Sequence, residues 1–251
     1  MLSRNYLLIL ACVIAAAALL AACGDSSSGN KGNSGTKNTN AAKATGIPAS
    51  APPGAQPPTQ AGSPTATVTL EEFADFQCPQ CAAKNPIFGE IRSIYGSRIR
   101  FIFRHYPLDI PAHDKNYDAA VAAEAAGFQG KFWDMENQLF SNQKTWSSDP
   151  NYKQMWKDYA TKIGLDVAKW ENDILGLNAK QRVDADKKRA QAIPVNSTPT
   201  LFINNVEVPF PQMTVDGLKA LIDAELARAA PASQPAAAGN AANANSAPAN
   251  K

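Results

Sequence analysis

The sequence predicts an α/β domain over residues 66–229, with an all-helical insertion at about residues 110–192. Three observations predict it. Two short runs of β-formers flank one stretch with helical period, a row of helical segments follows, and a hairpin and a last helix close the domain. The first β run is 66–73. The second, 98–104, gathers Ile99, Phe101, Ile102 and Phe103. Between them, residues 79–95 place Ile87, Phe88, Ile91, Ile94 and Tyr95 on one helical side. Helical candidates then fall at 114–128, 131–140, 152–163, 167–175 and 179–191. Phe128, Phe132, Trp133 and Phe140 recur in the first two at near-helical spacing and read as core. Residues 200–203 and 206–208 form a hairpin about Asn204 and Asn205, and 215–228 is the final helix.

The two ends of the chain speak to compartment. Arg4 precedes an apolar run from Tyr6 to Ala22 that is short for a membrane span. A basic start, an apolar middle and small residues before a break describe a secretory signal, here residues 1–22. Its end, Leu20-Ala21-Ala22-Cys23, resembles the lipobox of bacterial lipoproteins. That resemblance implies cleavage before Cys23, a diacylglycerol on its sulfur, and a domain anchored by lipid to a membrane of the cell envelope. From Gly24 to Pro64 the only large aliphatic residue is Ile47, too little apolar surface to offset the entropy of ordering. Residues 23–65 therefore read as a tether, whose about forty residues of coil span about 35 Å root-mean-square. Residues 230–251, rich in Ala, Pro and Asn, read as a disordered tail. The formal net charge is +2, and losing residues 1–22 removes Arg4 and no acid. A near-neutral chain excludes nucleic acid and a polybasic membrane patch as partners.

The chain has four cysteines. With Cys12 in the signal and Cys23 at the lipidation position, Cys78 and Cys81 are the thiol pair left to the mature protein. A bridge over two intervening residues closes almost no loop, so it is a poor structural staple. The pair follows a strand and opens a helix, with Pro79 at the favoured first helical position. Orphan N–H groups and the positive end of the helix dipole then point at the Cys78 sulfur and favour the thiolate, which is the attacking species. Cys81, three residues on, lies on the same helical face and deeper. Exchange chemistry follows: the outer cysteine forms a mixed disulfide and the inner one resolves it. Outside the cytoplasm such a pair is also one its surroundings would oxidise. A structural zinc site needs about four protein ligands, and the sequence offers no second pair of cysteines or closely spaced histidines. No cofactor or metal is called for.

The segment from Val68 to Cys81, ending Asp75-Phe76-Gln77-Cys78-Pro79-Gln80-Cys81, resembles the start of the thioredoxin-fold domain of Dsb-type (DsbA-like) thiol:disulfide oxidoreductases of bacterial envelopes. Arg104-His105-Tyr106-Pro107-Leu108 resembles the strand end that leads into that family's helical insertion. Ala119 to Met135, continuing to Leu139 and Phe140, resembles its helical core. Val195 to Ile203, with Ser197-Thr198-Pro199, resembles its cis-proline loop. The resemblance covers about residues 67–225. It implies that Cys78 is the nucleophile, Cys81 the resolving thiol and Pro199 a cis-proline packed against the pair. It implies that the Thr198 backbone pairs with an extended substrate strand, and that Glu72 is a partly buried acid taking the proton of Cys81. Strand alternation turns Glu71 to the opposite face. His105, at the end of the second strand, and His113, near the start of the insertion, are ordinary polar positions. Asp75 is a turn or cap residue.

The resemblance implies exported proteins with cysteines as substrates, a membrane or envelope partner for recycling, and a monomer. In the family's strong oxidants a His stands where Gln80 stands here. Gln80 offers neutral donors and no positive charge, so a milder oxidant is expected. The family's dimeric isomerases carry a folded dimerisation domain in the place of the low-complexity segment, which argues against that activity. Two readings of other classes use the same residues: a metallochaperone holding a soft ion such as copper between the thiols, and a non-catalytic thioredoxin-scaffold binding module.

Overall fold

The structure, a computed structural model, describes residues 46–193 and 195–230. The expected signal peptide, the lipidation position Cys23, residues 23–45 of the expected tether and the tail from 231 lie outside the described residues. Strands β1 (Thr59–Gly62), β2 (Val68–Ala74) and β3 (Ile99–His105) form one sheet with β4 (Thr200–Ile203) and β5 (Val206–Glu207). Their order is β1-β3-β2-β4-β5. β2 and β3 run parallel, joined by the crossover helix α1 (Pro79–Tyr95), and the other three pairings are antiparallel.

The central position of β2 explains its composition. Leu70 and Phe73, on opposite faces, are both fully buried, as befits a strand covered on both sides. On one face Leu70, Phe101 and Leu201 pack with Phe88 and Ile91 of α1 and with Leu218 and Ile222 of α8 (Val215–Ala229). On the other, Phe73 and Phe202 meet Ala190, Ile193 and Val195. Ile94, expected on the buried side of α1, is 41 % exposed. Asn204 and Asn205 turn the last hairpin with φ of 47° and 67°, a left-handed conformation that Asn tolerates better than most residues.

Six helices separate β3 from β4. They are α2 (Asn116–Gly127), α3 (Phe132–Ser141), α4 (Gln143–Trp146), α5 (Tyr152–Lys162), α6 (Val167–Leu175) and α7 (Leu177–Ala192). α2 is their axle: Ala119, Ala120, Ala122, Ala123, Ala125 and Ala126 are all buried, and their small side chains let α3, α6 and α7 approach closely. Indole N–H groups, which need partners when buried, donate from Trp146 to Leu139 O at 2.7 Å and from Trp170 to Ala122 O at 2.9 Å. Phe132 and Phe140 are core residues, but Phe128 is 40 % exposed, because α2 ends at Gly127 and the chain turns there.

The domain begins earlier than the expected boundary at residue 66. Residues 46–65 are not tether. β1 adds antiparallel to the edge of β3, with Thr59 opposite Phe103, and Gly46 bridges to Val206. The segment before β1 is held through its backbone. Pro52 O accepts from Arg189 at 2.7 Å, Pro53 O and Ala55 O from Arg104 at 2.9 and 3.1 Å, and Pro57 O from Arg182 at 2.9 Å. A Cβ on Gly54 (φ +75°) would lie 2.7 Å from both Arg104 Nη1 and Asp186 Oδ1, so only glycine fits. Among the described residues no helix is long and apolar enough to cross a membrane.

Candidate active site

Cys78 caps α1, and Pro79 occupies its first turn, so the Cys78 sulfur sits at the helix end where N–H groups are left unpaired, although its side chain makes no capping hydrogen bond. Both cysteines are thiols, Cys78 7 % exposed and Cys81 fully buried. The loop that presents them is fixed from several sides. Gln143 Nε2 donates to Phe76 O at 2.8 Å and to Cys78 O at 2.9 Å. Asp75 Oδ1 accepts from Gln77 N at 2.7 Å, closing the turn before Cys78. Asp75 Oδ2 accepts from Leu108 N and Asn116 Nδ2 and lies 2.9 Å from His113 Nδ1. Asp75 is thus a turn residue and also a buried hub. His113, rather than a plain surface group, is one of its spokes.

Across from the thiols, the Thr198–Pro199 peptide is cis and both residues are buried. The Cys78 thiol donates to Thr198 O at 3.2 Å. That carbonyl is therefore engaged by Cys78 in the dithiol form. The Thr198 hydroxyl is buried without a hydrogen-bond partner among the described residues.

The two sulfurs differ sharply in acidity. A hydrogen bond from Cys81 is the main cause that draws the Cys78 thiol down to about 5. Burial opposes it, and the Thr198 side chain and the backbone N–H groups of Gln80 and Cys81 assist. Burial pushes Cys81 well above the ordinary thiol range, with Cys78 and the charge of Glu72 adding to it. Glu72 itself is 2 % exposed. Burial raises it to about 8, with the charge of Glu136 adding and Arg92 opposing. Glu71, on the other face, is also buried, because β2 is covered on both sides. It is an ion-pair residue, 2.6 Å from Arg104 Nε and 2.7 Å from Arg189 Nη2.

His105 pairs with Glu124. Its Nε2 lies 3.0 Å from Glu124 Oε1, and its donor atoms come within 4.8 Å of those of Glu124 and Asp186. These acids are already engaged. Arg182 bonds Glu124, while Arg104 and Ala55 N bond Asp186, so the set does not suit a metal ion. Sequence reasoning missed Gln143, Arg92 and Glu136. Only Glu136 left a signal: an acid at position 136 sits on the helical face of Phe132, Leu139 and Phe140, where an apolar residue belongs.

The curated relatives include the Na(+)/H(+) antiporter NhaA 1 of Mycolicibacterium gilvum, 38 % identical over 145 residues, or 57 % of this chain and 22 % of that protein. The chain thus spans under a quarter of that relative's length. Among solved structures, oxidised BdbD from Bacillus subtilis matches with a TM-score of 0.59 at 23 % identity, over 70 % of this chain and 98 % of that one. The thiol-disulfide exchange protein alpha-DsbA2 from Wolbachia pipientis matches at 0.56 and 20 %, over 66 % and 86 %. These structures share the fold. The model of the thioredoxin family matches residues 55–224, starting in the segment just before β1, and the chain belongs to that family.

Proposed function

We propose that the chain is an envelope thiol:disulfide oxidoreductase that exchanges disulfides with exported proteins through Cys78 and Cys81, as a mild oxidant. The observation that carries this reading is the asymmetry of the pair. One sulfur lies at a helix N-terminus with its thiol drawn down to about 5, and its partner is fully buried and held neutral. In the oxidising direction a substrate thiolate attacks Cys78 Sγ and the Cys78–Cys81 bond breaks. Cys81 leaves with the electron pair and takes a proton, which Glu72, the buried acid whose charge acts on Cys81, would supply. A second substrate thiolate then attacks the mixed disulfide and releases Cys78 as thiolate.

A stabilised thiolate favours the reduced form and so makes the disulfide more oxidising. A value of about 5 lies between about 7 for thioredoxin and about 3.5 for the strongly oxidising DsbA, which supports moderate power. Thr198 O ties the cis loop to Cys78, and a substrate strand would compete with Cys78 for it. Export and a lipid on Cys23 rest on the sequence alone, as does recycling by a membrane or envelope redox partner. Antiport is not carried over, because the matching segment is too small a part of that relative.

The test is Cys81→Ala in cells of the source bacterium. Mixed disulfides with exported proteins should accumulate on Cys78, since nothing resolves them. A variant that traps none, from a wild type that purifies with copper bound and does not turn over reduced protein, would make the chain a metallochaperone. The same result without metal would make it a binding module.

A further inference from the structure

Glu72 and Phe103 are register partners on adjacent strands, so their side chains share one face of the sheet. On that face Phe103 packs against Phe132 and Trp133 at the start of α3, with ring centroids 5.2 and 6.4 Å away. Glu136 lies one turn beyond Phe132 and is 1 % exposed. Its Oε1 is 3.4 Å from Arg92 Nη1, and its Oε2 is buried with no hydrogen-bond partner among the described residues. Arg92 is fixed by aromatic faces, its guanidinium carbon 4.2 Å from the ring centroid of Trp133 and 5.1 Å from that of Phe101. The charges of Glu136 and Arg92 both act on Glu72, so two buried carboxyl groups and one guanidinium share a water-poor space. Two negative charges against one positive charge leave one charge uncompensated, and the inexpensive remedy is to keep one proton.

We infer that Glu72 and Glu136 form one proton-sharing dyad beneath the thiol pair, in which Glu136, steered by Arg92, decides when Glu72 can accept the proton of Cys81. This rests on the exchange reading above. The charged and titratable groups facing the dyad are Arg92 and Cys81 from α1, with Cys78 beyond Cys81, and the neutral Asn85 side chain assists Glu136. Burial raises Glu136 to about 7, opposed by Arg92 and Asn85, and its contact with Arg92 makes it the carboxyl better placed to ionise. Its charge then delays Glu72.

In the reducing direction the step balances as follows. The Cys81 S–H bond breaks and its proton passes to a Glu72 oxygen. Its electron pair forms the Cys78–Cys81 bond, and the bond from Cys78 to the substrate breaks. The substrate sulfur departs as thiolate, reduced, while the protein pair is oxidised. Glu136 touches no reacting atom and is a positioning residue.

Ellman's reagent reads this step directly. Cys78 releases one thionitrobenzoate on attack, and Cys81 releases the second on resolution. Glu136→Gln keeps the shape and removes the charge. The midpoint of the pH profile for the second release should fall by about one unit, the scale at which two sites titrate as a pair. The Cys78 thiolate midpoint should stay near 5, and Glu136→Asp should restore the profile. An unmoved midpoint in Glu136→Gln overturns the dyad. Should that variant not fold, carbon-13 NMR of glutamate-labelled wild type decides. The Glu72 and Glu136 carboxyl carbons should each titrate in two steps, and independent single steps overturn the inference. Wild type that never releases the second thionitrobenzoate would sink the exchange reading instead, while the NMR titration still judges the dyad.

Discussion

The Cys78 thiol donates to the carbonyl oxygen of Thr198 at 3.2 Å, a bond between residues 120 positions apart in the chain. It ties the tip of α1 to the cis loop and lays the Cys78 sulfur against the carbonyl that precedes Pro199. Thr198 also carries a buried hydroxyl with no hydrogen-bond partner among the described residues. Beside a thiol that hydroxyl has no task. Beside a thiolate it is a donor, and the Thr198 side chain helps to lower Cys78. Thr198→Val keeps the shape and removes the donor. The Cys78 thiolate midpoint, followed by absorbance at 240 nm, should rise by about half to one unit, the equivalent of one net hydrogen bond. Reduction potential should fall with it. A midpoint that stays near 5 would mean the hydroxyl never turns to the sulfur.

The acidity of Cys78 also sets a pH window for stability. Its folded value of about 5 lies below the ordinary thiol value of about 8.5. A depressed group contributes stability that is complete above the unfolded value and is lost as pH falls through the folded value. The reduced protein should therefore gain stability relative to the oxidised protein from about pH 5 to about 8.5. Above that, Cys81, which is raised, works the other way. Glu72 and Glu136 titrate inside the window but are present in both redox forms, so they largely cancel in the difference. Urea midpoints of the two forms across this range test it, and a constant gap would contradict it. Cys81→Ala removes the largest cause of the depression and should raise the Cys78 midpoint.

Much of the fold was legible because the patterns that reveal it are side-chain patterns. The helices at 79–95 and 167–175 have the bounds that the sequence predicts, and in the first the apolar spacing and Pro79 mark the helix. What escaped is held by backbone. β1 needs only N–H and C=O groups to extend the sheet, and Pro52, Pro53, Ala55 and Pro57 contribute carbonyls that any composition would supply. The arginines that grip them, Arg104, Arg182 and Arg189, read in the sequence as ordinary strand and helix charges. In the site, Cys78, Cys81, Glu72 and Pro199 each had a local motif. Glu136 and Gln143 are joined to them only through tertiary packing.

Glu72 should matter at one end of the pH range only. At about pH 6 it is protonated, since its value is about 8, and an amide resembles it closely. At pH 9 it is ionised and can take the proton of Cys81. Wild-type resolution of the Cys78 mixed disulfide should accelerate through about pH 8, whereas Glu72→Gln should lack that rise. The difference at pH 9 should be about a hundredfold if Glu72 acts as general base. Loss of its charge also eases ionisation of Cys81, which trims the deficit without reversing it. Equal rates at pH 9 would remove Glu72 from the mechanism and leave it a structural acid.

The segment before residue 66 should prove part of the fold rather than a leash. Without it, Arg104 loses the carbonyls of Pro53 and Ala55, Arg189 loses that of Pro52, and Asp186 Oδ1 loses the N–H of Ala55 at 2.8 Å. Arg104 and Asp186 are nearly sealed from solvent, with side chains 4 % and 0 % exposed. The segment is part of that seal, so the groups it frees would exchange these bonds for bonds to water. Bonds to buried charged groups are worth about 1.5–3 kcal/mol each, so losing several should cost well over about 3 kcal/mol. The edge of β3 would also be bared, inviting association between copies. A chain running from Gly46 to Ala230 and one running from Ala66 to Ala230 separate the two views. The shorter chain should unfold at clearly lower urea and show concentration-dependent association. Matching midpoints would mean that the sequence-based boundary at 66 is the true edge of the domain, and that the arginine contacts add nothing to its stability.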